Sequence, residues 1–150
     1  MKRTKRTSSI SQHKAHKTTV RISVGSESSK VLWIFDKIDR DGLFAFNNNR
    51  SDFDHKGFLD KLISYSSMTW AEVIRQTHDA GKSKHHFLAD VDRFSNEALE
   101  RINKLRLNED TDRIFSFAFT NLLRIIGLRE AEKFYVIWYD AYHQFYPVQK

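Results

Sequence analysis

The 150-residue chain contains no cysteine, which excludes disulfides and cysteine-based zinc sites outright. No apolar run approaches the roughly 18 residues of a membrane helix, and no apolar stretch follows the basic N-terminus as a secretory signal requires. The expectation is therefore a cytoplasmic protein with no membrane partner. Glycine is scarce and no glycine-rich phosphate loop exists; no Ser/His/Asp motif supports nucleophilic catalysis either. The acidic stretch around Asp39, Asp41 and Gly42 fails as a calcium loop. With Gly42 in sixth place, Lys37 falls on the first ligand position and Asn48 on the twelfth, both wrong for that site. His13 and His16 have a ligand-like spacing without further ligands. No metal site and no cofactor are expected.

What is present fits one domain. Hydrophobic residues make up 40% and charged residues 29%, ordinary for a globular chain, and twelve phenylalanines promise an aromatic-rich core. The net charge of +6 is unevenly spread. Residues 1–21 carry Lys2, Arg3, Lys5, Arg6, Lys14, Lys17 and Arg21 with no acid, a charge of +7, so the remainder carries +6 less +7, or −1. Residues 1–29 read as a flexible basic tail and residues 30–150 as a single domain. Such an arm can attract phosphates without regard to sequence, or simply keep the chain soluble.

Periodicity predicts the elements. Residues 20–24 alternate like a short strand, and residues 31–35 form an apolar run of β-formers expected to be a buried strand. Residues 43–46 are expected to return as a second strand after a turn. Phe58, Leu59, Leu62 and Ile63 mark the inward face of a helix over 54–66. Thr69 and Glu72 form a capping box for a short helix reaching about residue 76, with Trp70, Val73 and Ile74 inward. Ser95 caps a helix over 95–106 that turns Leu99, Ile102 and Leu105 inward. From Arg113 the period becomes 2: Phe115, Phe117 and Phe119 alternate with small or polar residues, residues 122–128 form a second strand and 134–139 a third, joined by a four-residue loop at 130–133. A symmetric register sets Arg129 opposite Phe134, Gly127 opposite Val136 and Arg124 opposite Tyr139. Gly127 in mid-strand signals a bulge or a close approach. The expected class is α+β, with helices on one face of a small, mainly antiparallel twisted sheet.

Two groups of residues carry possible chemistry. Lys84, His85 and His86, with Lys82, make a cationic loop able to hold phosphate, although adjacent histidines on a strand point to opposite faces and cannot chelate together. The segment 140–147 gathers Asp140, Tyr142, His143 and Tyr146 just after a buried strand. Metal-independent RNA cleavage needs a base for the 2′-hydroxyl, an acid for the leaving oxygen and a cation on the phosphate. His143, Tyr146 and Arg124 are the candidates for those roles. The plain alternative is a terminal segment whose aromatics close the core and whose histidine makes one hydrogen bond.

The stretch from Ile114 to Pro147, IFSFAFTNLLRIIGLREAEKFYVIWYDAYHQFYP, resembles the closing sheet of the RelE/ParE/HigB-type toxin superfamily, with its R-I-x-G pattern and apolar last strand. The middle, SMTWAEVIRQT followed by KHHFLADVDRFSNEALERI, resembles short bacterial and phage proteins of unassigned function. The resemblance implies a RelE-like ribosome-associated mRNA endoribonuclease neutralised by a cognate antitoxin protein. By position Arg124 and Arg129 match the strand arginines, His143 and Tyr146 the terminal pair, and His85 or His86 the histidine before the sheet. A body near neutrality is unlike the basic ribonucleases of that group, and other members of the fold are not ribonucleases. The competing expectation is a non-catalytic interaction module, a phage or mobile-element protein that binds a host partner.

Overall fold

The computed structural model describes residues 26–78 and 81–148; the strand expected at 20–24 lies outside them. The fold is α+β. A five-stranded sheet is built from β1 (Leu32–Ile34), β2 (His86–Phe87), β3 (Ile114–Ala118), β4 (Arg124–Glu130) and β5 (Lys133–Asp140), in the order β1-β5-β4-β3-β2. β1 runs parallel to β5 and every other pairing is antiparallel. The helices are α1 (His55–Ser66), α2 (Trp70–Ile74) and α3 (Asn96–Lys104). None is long and apolar enough to cross a membrane.

The helices occupy both faces of the sheet, which corrects the single-face expectation. On the first face Tyr65 of α1 and Trp70 and Val73 of α2 pack with Phe115, Phe117, Ile125 and Phe134. On the second, Ala98 and Ile102 of α3 pack with Ile114, Ile126, Leu128 and Trp138. All of β3 and the first six residues of β4 are buried, as strands covered on both sides must be. Local chemistry fixes the helix starts. Asp54 caps α1 by accepting from Gly57 N–H, the Thr69–Glu72 capping box opens α2 as expected, and Ser95 caps α3. Their inward faces differ in detail from the periodicity. Leu59 and Ile63 are exposed while Phe58 and Leu62 pack inward, and Leu99 is turned outward while Ala98 and Ile102 are sealed.

The central hairpin holds a bulge. Arg129 opposes Phe134 and Gly127 opposes Val136 as expected, but Ile126 then opposes Trp138, so Ile137 is an extra residue on β5 and Arg124 faces Asp140 rather than Tyr139. The phase of burial flips there. Phe134 and Val136 point to the first cluster, Ile137 and Trp138 both to the second, and Tyr139 back to the first. Gly127 is required beside it, because a Cβ at that position would overlap the Tyr135 carbonyl oxygen. β4 and β5 also meet in a shorter turn than expected, since Glu130 and Lys133 are themselves paired.

Residues 43–46 are not a strand. They cross the end of the sheet as a strap, with Phe46 N–H donating to Asp39 O and Tyr139 N–H to Phe44 O. Phe44 enters the second cluster and Phe46 the first. Asp39, almost fully buried, anchors the strap. It accepts two hydrogen bonds from Arg101, each 2.9 Å, and one from Trp138 Nε1 at 2.9 Å. β1 is a short edge strand with Leu32 exposed, not the buried strand its composition suggests. Residues 26–29, read as tail in the sequence, engage the body: Glu27 pairs with Arg129 at 2.7 Å, and Ser29 O accepts from Trp70 N–H.

Candidate functional site: a basic cleft at the sheet end

Where β3 ends and β4 begins, the sheet opens into a cleft of about 790 Å³. Its floor is buried: Tyr65 from α1, Ala118 from β3, Phe119, and Arg124 at the head of β4. Its rim is exposed, with the cations of Lys61 on α1 and Lys84 before β2 and the imidazole of His78 beyond α2. Gln76, Thr77, Thr120 and Asn121 also line it, and among the described residues the lining includes no carboxylate.

Several local devices hold this arrangement. Phe119 N–H donates to Leu123 O and Leu123 N–H to Thr120 Oγ1, closing the β3–β4 connection tightly. Arg124 Nη1 then donates to the carbonyls of Thr120 at 2.9 Å and of Asn121 and Leu123 at 3.2 Å. Tyr65 hydroxyl donates to Ala118 O at 2.7 Å. On the other wall, Lys84 N–H donates to Gln76 O and His78 N–H to Lys82 O, which sets residues 76–78 antiparallel to 82–84 around the Thr77–Ser83 bridge.

Electrostatics follow from burial. Tyr65 is pushed up to about 12 by loss of solvent, against the pull of Arg124, so its phenol stays protonated and is no base. Burial pulls Arg124 below the ordinary guanidinium value, with Asp140 and Tyr65 opposing it, and a guanidinium remains charged at neutral pH. Asp140, fully buried, is raised by desolvation and lowered by the N–H groups of Gln144 and Phe145 that its two oxygens accept.

The sequence-expected residues divide sharply. Arg124 and Lys84 meet in the cleft. His85 is wholly buried behind it, so it is no direct ligand-binding group. Its Nδ1 accepts from Ala118 N–H at 3.0 Å, so Nε2 carries the proton donated to Gln76 Oε1 at 2.8 Å. Burial, then Lys84, then Arg124 hold it down to about 3, leaving the ring neutral. His86 is exposed and its Nδ1 donates to the Phe87 carbonyl. His143 is half-buried at φ +58°, an uncommon conformation for a non-glycine residue. Burial and the charge of Arg124 lower it to about 4, but it does not line the cleft.

Tyr146 and Arg129 are placed elsewhere. Tyr146 lies in the second cluster, across the sheet from the cleft floor, where its hydroxyl accepts from Asp90 N–H and Arg93 covers its ring at 4.4 Å. Arg129 is buried with its guanidinium 3.8 Å from the Trp70 ring, paired with Glu27 and donating to Ala131 O. That stack and pairing make Arg129 a clasp between β4, α2 and residues 26–29, and remove it from solvent. The cleft residues that periodicity did not single out are Lys61, Tyr65, Gln76 and His78. Lys61 reads as the polar face of a helix and His78 as the polar loop after one, so only the fold unites them.

No protein-family model, curated protein or solved structure matches the chain. Function is therefore read from the cleft itself.

Proposed function

We propose that the protein binds an RNA strand through this cleft, taking backbone phosphate against Arg124, Lys61 and Lys84. The observation that carries the reading is a buried guanidinium on the floor beneath exposed cations, with no carboxylate in the lining among the described residues. Charge-assisted hydrogen bonds to phosphate are strongest where water is excluded, and Arg presents the planar fork that phosphate oxygens match. Exposed lysines at the rim add long-range attraction and neutralise further phosphates. The basic tail, with its +7, supplies a second, sequence-independent attraction to the same polyanion. Fluorescence anisotropy with a labelled single-stranded RNA tests the reading. Lys61→Ala with Lys84→Ala should weaken binding about tenfold or more at physiological salt, and unchanged affinity would refute it.

A second reading has one observation of its own. His78, an exposed imidazole, shares the cleft with Arg124, so a proton-transfer group and a charge stabiliser face one volume. That pairing supports a metal-independent endoribonuclease, the activity implied by the RelE-like resemblance. In this version His78 moves the proton, while His143, outside the cleft, and Tyr146 take no chemical part. RNA cleavage that persists in a chelator and is lost in His78→Ala supports it. A wild type that binds RNA without cutting it, with or without ribosomes, leaves the binding module.

A further inference from the structure

The shape of the cleft narrows what part of an RNA it takes. We propose that it is a receptor for a terminal phosphate monoester, carried by an RNA 5′ end or by a mononucleotide, rather than a track for internal phosphodiesters; this rests on the binding function proposed above.

The cleft is blind. Tyr65, Ala118, Phe119 and Arg124, which close it, are each at most 8% exposed, whereas Lys61, His78 and Lys84 stand at its mouth. An end group can project to that floor, whereas the chain on both sides of an internal phosphate holds it nearer the rim. All three hydrogen bonds of Arg124 leave from Nη1, so Nε and Nη2 have no hydrogen-bond partner among the described residues. That edge is the one that grips two oxygens of one phosphate. Gln76 is similarly prepared: its carbonyl oxygen accepts from His85, so its amide NH₂ is the group left to donate. His85 is thus a positioning residue. A monoester offers about −1.5 to −2 charge and three terminal oxygens, against −1 and two for a diester. With three cations, Arg124, Lys61 and Lys84, around one volume and no carboxylate in the lining among the described residues, the more highly charged group is favoured.

The test compares one short RNA bearing either a 5′-phosphate or a 5′-hydroxyl, with a nucleoside 5′-monophosphate and inorganic phosphate as competitors, on the full chain. The expected result is about tenfold tighter binding of the 5′-phosphorylated RNA. That preference should shrink in Arg124→Lys, which keeps charge but loses the fork, and in the surface pair Lys61→Ala with Lys84→Ala, whose exposed sites leave folding intact. Displacement by the mononucleotide at concentrations comparable to the RNA assigns the ligand to a free nucleotide; displacement only by the RNA end assigns it to RNA. Equal affinity for the two RNAs, still sensitive to the lysine pair, overturns the end-group proposal while leaving strand binding in place. Absence of binding to either RNA, with mononucleotide and phosphate also inert, overturns both.

Discussion

Replacing His85 with Phe should destabilise the domain by an amount that depends on pH. The ring sits in a cage of Tyr65 and Phe117 at centroid distances of 5.1 and 5.3 Å, so an aromatic of similar shape can occupy the space. What is lost is polar. The buried Ala118 N–H loses its acceptor, costing about 1–3 kcal/mol, and the Gln76 bond a further ~1 kcal/mol, for about 3 kcal/mol at pH 7.5. The native histidine also carries a penalty at low pH. Its folded value near 3 lies below the unfolded 6.5, so the unfolded chain binds the extra proton as pH falls and stability declines from about 6.5 towards 3. At pH 5.0 that removes about 2 kcal/mol from the wild type and nothing from His85→Phe. The destabilisation caused by the substitution should therefore contract from about 3 kcal/mol at pH 7.5 to about 1 kcal/mol at pH 5.0. His143 is also lowered, but it is present in both proteins and cancels in the difference. Urea denaturation at the two pH values reads this directly. A pH-independent difference would mean that His85 is not held neutral by burial, and the wall behind the cleft would need a different account.

Gly127→Ala should cost about 3 kcal/mol or more in urea denaturation, because its Cβ meets backbone rather than a movable side chain; a loss under 1 kcal/mol would deny the close packing at the bulge. Trp138→Ala should cost about 3–5 kcal/mol from the lost aromatic volume, whereas Trp138→Phe should cost less, since Arg101 still satisfies Asp39; equal losses would shift the weight from packing to the Asp39 hydrogen bond.

The sheet was legible where side chains announce it. Phe115 and Phe117 alternate cleanly, and Thr69 with Glu72 forms the capping box that their types imply. Gly127 marked its bulge, yet which strand received the extra residue could not be read. That depends on how Ile137 and Trp138 share the second cluster, and it moved Arg124 from Tyr139 to Asp140. The near-continuous apolar stretches of β4 and β5 carried the signal for burial on two faces; alternation in β3 alone suggested one. Residues 43–46 look like a strand because Phe44 and Phe46 alternate, but here alternation serves a strap with one ring in each core.

Site residues were harder to read for a physical reason. Arg124 and Lys84 stood out by type and setting, and both line the cleft. His143 and Tyr146 stood out by type and by following a buried strand, and Arg129 by its place in the resemblance. Tyr146 and Arg129 are absorbed by local partners, Asp90 with Arg93 and Trp70 with Glu27. Lys61 and His78 belong to segments separated from Arg124 by 63 and 46 positions, so nothing local in the sequence joins them.

The salt dependence of RNA binding tests the proposed cleft site, because on that proposal the tail and the cleft would each add to it. For single strands the slope of log K against log salt is about −0.7 for each phosphate neutralised. Lys61→Ala with Lys84→Ala removes two cleft cations and leaves the seven of the tail untouched, so the magnitude of the slope should fall by about 1.4 relative to wild type. A slope identical in the two proteins would contradict this, since it would mean that neither Lys61 nor Lys84 neutralises an RNA phosphate.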